Sequence, residues 1–93
     1  MSTQETKKKI ERKMRDKLSA TSVEVIDDSW KHAGHAQAGG GGHFTVFLVS
    51  EKFEGVSLLD RNRMVFDVLK EEMQGEIHAL AVKAKTPKES GIS

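Results

Sequence analysis

Cysteine is absent from the 93 residues. That excludes a disulfide scaffold, a zinc ribbon, a thiol nucleophile and an iron–sulfur site ligated by the chain's own thiolates. Long apolar runs are absent too, so nothing of about 18 residues exists to span a bilayer and no membrane partner is expected. Tyrosine is missing, tryptophan occurs once at Trp30, and Pro87 is the one proline. A dominant charge sign is also lacking: 15 Lys and Arg against 14 Asp and Glu leave +1, and no global field advertises a polyanionic partner. The start, Met1-Ser2-Thr3-Gln4-Glu5, carries no hydrophobic signal core, which makes the cytoplasm the expected compartment. With 37% hydrophobic residues, the chain has enough for one small core, and residues 1–93 read as a single domain.

The near-neutral balance hides an asymmetry. Residues 1–18 hold seven basic and three acidic residues, or +4, and the remainder eight and eleven, or −3. Ile10, Met14 and Leu18 recur at i, i+4 and i+8, a narrow apolar stripe on a first helix. Its charges either solvate an outer helix face or meet nucleic acid. After a break at Ser19 to Ser22, Val23 to Asp28 alternates as a short strand. Residues 30–42 lack periodicity and include four consecutive glycines, Gly39 to Gly42. They read as a flexible Gly-rich loop of a length that is usually functional or disordered. His43 to Ser50 is the clearest strand, with apolar residues on both faces and therefore a central position. Phe53-Glu54-Gly55 reads as a turn. Helical spacing returns from Leu58 to Met73, with Leu58, Val65, Leu69 and Met73 on one stripe. Ser57 and Asp60 are candidate N-caps, and Gly75 is a stop signal. Ile77 to Lys85 is the last strand, and residues 1–4 and 88–93 read as frayed tails. The helical crossover before the last strand favours a parallel pair, and the first two strands should be antiparallel. The predicted fold is a two-layer α+β domain in the order αββαβ, with a three-stranded mixed sheet and both helices on one face.

Four histidines carry the chemical interest: His32, His35, His43 and His78. Neutral imidazole is a good ligand for iron, copper or zinc. His32 and His35 sit three apart in the loop, yet two ligands alone hold a metal poorly. Strand parity groups His78 with Leu80 and Val82, which reads as a buried histidine satisfied by a hydrogen bond. An exposed strand start would instead present it to a partner. His43, beside the loop, is a strand-boundary residue or a spare ligand. Trp30 is equally a core anchor or a partner-binding anchor. Arg61 and Arg63 flank Asn62, as phosphate contacts or as solvated arginines paired with Asp60 or Asp67. The Gly run lacks the Lys and Ser/Thr of a P-loop and leads into a strand, so it is a poor phosphate cradle. No serine elbow or carboxylate pair has a catalytic setting, and no enzyme is expected.

Taken together, His32-Ala33-Gly34-His35, the Gly run, His43-Phe44-Thr45-Val46, Val49 to Gly55, Leu58 to Val65, Ile77-His78-Ala79-Leu80 and Thr86-Pro87 resemble the BolA family. The resemblance covers roughly residues 5–88 and rests on several motifs in order. One departure is Asn62, where the family usually has a histidine between two arginines; any role of that histidine is absent here. The resemblance implies a fold similar to the type II KH arrangement, with a short extra helical turn before the second main helix. It also implies partnership with a monothiol glutaredoxin and glutathione, sharing a [2Fe–2S] cluster. In that partnership His78 matches the family ligand of the last strand and His32 the loop ligand, with His35 as the fallback. The isolated chain should then hold no cluster tightly, and the chain is expected to be an adaptor. The family's association with transcription leaves a second reading, DNA binding through the basic helix and Arg61, Arg63, Lys83 and Lys85. A weak homodimer is a further association open to the chain.

Overall fold

The computed structural model describes residues 3–28 and 42–91. The predicted element order and sheet are observed. Helix α1 (Thr3–Leu18) is followed by β1 (Ser22–Asp27), β2 (Gly42–Val49), α2 (Leu58–Val68), β3 (Ile77–Lys85) and a one-turn α3 (Pro87–Ser90). The sheet order is β1-β2-β3, with β2 central. β1 runs antiparallel to β2 and β3 parallel to it. The α1 stripe of Ile10, Met14 and Leu18 packs with Val65 and Leu69 of α2 over Val25, Phe44, Val46 and Leu48. Alternation along β2 thus sends Phe44, Val46 and Leu48 into the core and leaves Thr45 and Phe47 on the opposite, open face.

Helix α1 stops because Ser19 takes a left-handed φ of 52°. The next residue folds back, and the Ala20 N–H donates to the Met14 carbonyl at 3.2 Å. The fully buried Ser50 hydroxyl then ties this corner to the end of β2. It donates to the Leu18 carbonyl and accepts from the Lys52 N–H at 3.1 Å. Replacing Ser50 with Ala leaves both groups without that partner, and urea denaturation should show a loss of ~1–2 kcal/mol.

Four local expectations need correction. Phe53 is not a surface turn residue: it closes a 3₁₀ turn at Glu51–Phe53, capped by Ser50, and its ring is fully buried. That turn is the short helical piece ahead of α2. Second, α2 ends at Val68, not Met73, and Asp60 lies inside the helix, its N–H donating to the Ser57 cap at 3.2 Å. The chain tightens into a 3₁₀ turn at Glu72–Gln74 because Glu72 is drawn inward to Lys13 of α1, 2.7 Å away. Gly75 closes this later turn. Third, Leu58 is not on the buried stripe but 70% exposed. The first turn of α2 lies beside the outer edge of β3, where the described residues form no fourth strand. Fourth, Thr3 and Gln4 belong to α1, and the segment from Lys88, expected to fray, forms α3. Pro87 opens that helix, and Thr86 and Glu89 form a capping box. The expected flexible loop, with Trp30, His32 and His35, lies outside the described residues.

Candidate metal-ligating site

The histidine of the last strand is exposed, not buried, and the backbone shows why. Gly42 pairs with Ile77, but His43 pairs with Ala79. One residue of β2 is therefore matched by two of β3, and His78 is the extra one. Such a bulge reverses the strand's alternation beyond it. Ile77 faces the core, and so do Leu80, Val82 and Ala84, three to seven residues on. His78 is released to the open side. The alternation that groups His78 with Leu80 and Val82 fails at this one step.

The bulge brings together two imidazoles. The His43 and His78 ring centroids lie 5.1 Å apart, tilted by 54°. His43 projects to the open side because Phe44 beside it projects into the core. Around it lies a shallow cleft of about 320 Å³, lined by Asp28, Phe44, Thr45, Ala79, Leu80 and Ala81. The Thr45 hydroxyl donates to Asp28 Oδ2 at 2.6 Å, and the Asp28 N–H donates to the His43 carbonyl at 2.7 Å. The segment carrying His32 and His35 leaves β1 at Asp28 and enters β2 at Gly42, so both of its ends are at this site. His32 is four residues past Asp28, a tether of at most about 14 Å. His43, a strand-boundary residue or spare ligand in the sequence, comes beside His78 because β2 and β3 are neighbours in the sheet.

Two imidazoles at this separation can both reach one ion at ~2.0–2.1 Å metal–nitrogen bonds, but they are an incomplete donor set. Among the described residues no group of three or more His, Asp or Glu side chains could hold a metal.

The strand that bears His78 is fixed from α1. Lys9 donates to Glu76 at 2.7 Å, and the Thr6 hydroxyl donates to the other carboxylate oxygen at 3.1 Å. The Lys9 hydrogen bond holds the Glu76 carboxyl below the ordinary carboxylate range. Lys13 adds its pair with Glu72, one of whose oxygens is buried with no hydrogen-bond partner. Part of the basic excess of α1 thus neutralises the acidic segment before β3, two residues from His78.

The four residues considered for nucleic acid sit in different settings. Arg61 is buried and its donors are engaged within the fold. Nη1 and Nη2 meet the two Glu89 oxygens at 2.6 and 3.1 Å; Nη1 also donates to the Ala84 carbonyl at 3.1 Å and Nε to the Val56 carbonyl at 2.8 Å. The guanidinium carbon sits 5.9 Å from the Phe53 ring centroid. Neither a phosphate contact nor a solvated pair with Asp60 or Asp67 describes it. Arg63 is exposed, 3.5 Å from Asp60. Lys83 and Lys85 are exposed on the open sheet face, paired in register with Phe47 and Val49.

The fold and the site define a small two-layer α+β domain that displays an imidazole pair at one end of a mixed sheet. The family described as "BolA-like protein" matches residues 14–89, and the chain belongs to that family. It is 48% identical over 80 residues to BolA-like protein 1 of Mus musculus, covering 84% of this chain and 58% of that one. It is 40% identical over 83 residues to "DNA-binding transcriptional regulator BolA" of Escherichia coli (strain K12), covering 89% and 77%. It is also similar to SufE-like protein 1, chloroplastic/mitochondrial, of Arabidopsis thaliana, at 41% over 87 residues, and spans only 24% of that protein's length. The solved BolA domain of that plant protein superposes with a TM-score of 0.79 at 38% identity, covering 90% of this chain and 94% of the domain. Among the described residues no helix is long and apolar enough to cross a membrane.

Proposed function

We propose that this chain is a non-enzymatic adaptor that binds a monothiol glutaredoxin and co-ligates a shared [2Fe–2S] cluster, in iron–sulfur homeostasis or redox regulation. The observation that carries the reading is the pair of exposed His78 and half-buried His43, 5.1 Å apart at the bulge, in a chain with no cysteine. His78 is the principal ligand, and the second imidazole comes from His32, His35 or His43. The thiolates come from the glutaredoxin and glutathione. When bound, the group supplies one-electron redox chemistry, and mixed histidine and cysteine ligation raises its potential. The chain's own part is to hold two imidazoles at an open sheet end that a docked partner can approach. Names of relatives include chloroplastic and mitochondrial proteins, so the reading is not tied to the cytoplasm.

A duplex-reading role for α2 is not favoured, because Arg61 is locked to Glu89 and to two carbonyls.

The test is anaerobic mixing with a cluster-loaded monothiol glutaredoxin, read by visible circular dichroism. The wild-type chain should change the spectrum, and His78→Ala should remove most of that change. Comparison of His32→Ala, His35→Ala and His43→Ala then ranks the second ligand. His78 is exposed and His43 half-buried, and far-UV spectra of each variant check that the fold is preserved. A variant lacking all four imidazoles that still gave the wild-type spectrum would overturn the ligand assignment.

A further inference from the structure

The open face of the sheet is chemically complementary to itself. Among the described residues α1 and α2 pack on one side, and the other presents Ile26 and Phe47 at 38% and 39% exposure, with Ser90 of α3 beside its Val49 end. The strand register arranges this face in rows across β1, β2 and β3. One row reads Glu24–Phe47–Lys83, the next Ile26–Thr45–Ala81, and a third Ser22–Val49–Lys85. In the first two rows the β1 residue and the β3 residue are opposites, acid against base and large against small, while the third row is centred on the buried Val49. We propose that this face pairs with the same face of a second copy, about a two-fold axis running along β2.

The symmetry argument is direct. An axis parallel to the strands lays β1 of one copy over β3 of the other and β2 over β2. Glu24 then faces Lys83 of the second copy, and Lys83 faces its Glu24. Ile26 seats on the small Ala81, twice, and the two Phe47 rings meet at the centre. An axis across the strands would set Glu24 on Glu24 and Lys83 on Lys83, so the charges choose between the two arrangements. Every contact is made reciprocally, as an isologous interface requires. Aligned sheets pack face to face about 10 Å apart, a distance these side chains fill.

The size of the face sets the strength. Three strands at ~4.8 Å spacing and six residues of β1 give a footprint of roughly 15 by 20 Å. That is well below the ~800 Å² per partner of a stable complex. The dimer is therefore weak and concentration-dependent. It does not depend on the metal reading, since Glu24, Phe47 and Lys83 lie outside the imidazole pair.

Sedimentation velocity of the whole chain, from micromolar to about millimolar, tests the proposal. The weight-average sedimentation coefficient should rise with concentration. Phe47→Ser should abolish the rise. Glu24→Lys alone and Lys83→Glu alone each turn two attractive pairs into two repulsive ones and should weaken association at least about tenfold. The double variant Glu24→Lys with Lys83→Glu should recover it. These positions are exposed or half-exposed, and thermal unfolding of each variant checks the fold. A chain that stays monomeric throughout overturns the proposal, as does a double variant no better than the singles. A monomer whose Phe47 and Lys83 amide signals shift with a short single-stranded oligonucleotide would overturn it in favour of base stacking on this face.

Discussion

Replacing Phe53 with Ala should cost ~3–5 kcal/mol, the largest loss expected from any single truncation among the described residues. Phe53 is the bulkiest of the fully buried side chains. It enters the core from the 3₁₀ turn between β2 and α2, a position that neither the sheet nor the helix can refill. Its ring also supports the Arg61 guanidinium 5.9 Å above it, so truncation removes a packing surface and loosens an ion pair together. A domain of this size has about 5–15 kcal/mol in all. Urea denaturation should therefore show a strongly lowered midpoint. Phe53→Leu should retain about half of the lost stability or more, because most of the buried apolar volume is kept. A Phe53→Ala protein within ~1 kcal/mol of wild type would contradict the buried placement.

Arg61→Ala should come next, at ~2–4 kcal/mol, for a different reason. Two backbone carbonyls, of Val56 and Ala84, lose a charged donor, and the buried one is left unsatisfied. Arg61→Lys should rescue little, since an ammonium cannot reproduce the forked contact with both Glu89 oxygens. The pair also has a pH signature. The Arg61 hydrogen bond, followed by that of the Thr86 N–H, lowers the Glu89 carboxyl from 4.5 to about 2. Because the folded value lies below the unfolded one, the contribution is fully present above about pH 4.5. It is lost as pH falls from there through about 2. Glu89 is half-exposed, so solvent screens the pair and the increment is modest. Thermal unfolding of wild type and Glu89→Gln should differ at neutral pH and converge near pH 2. A difference that stays constant across that window would show that the Glu89 charge is not what Arg61 holds.

Much of the fold was legible in the residues. The stripe of Ile10, Met14 and Leu18, the alternation of Phe44, Val46 and Leu48, and the Ser57 cap are local patterns with periods of 3.6 and 2. Local patterns survive because each residue's neighbours in sequence are also its neighbours in space. Phe53 reads as a turn in the sequence because three residues carry no period. Leu58 reads as core because its spacing fits the helix, while its exposure depends on its place beside the outer edge of β3. Arg61 reads as a surface charge or phosphate contact because its partner, Glu89, is 28 residues away in sequence.

The sequence by itself determined the number and order of the elements, the antiparallel and parallel strand pairs, and the family, since these follow from short-range periodicity and from motifs in sequence order. The face on which His78 lies was decided only in the tertiary structure. A strand's alternation can be read from its own residues, but the one-residue bulge that reverses it exists only in the pairing of β3 with β2.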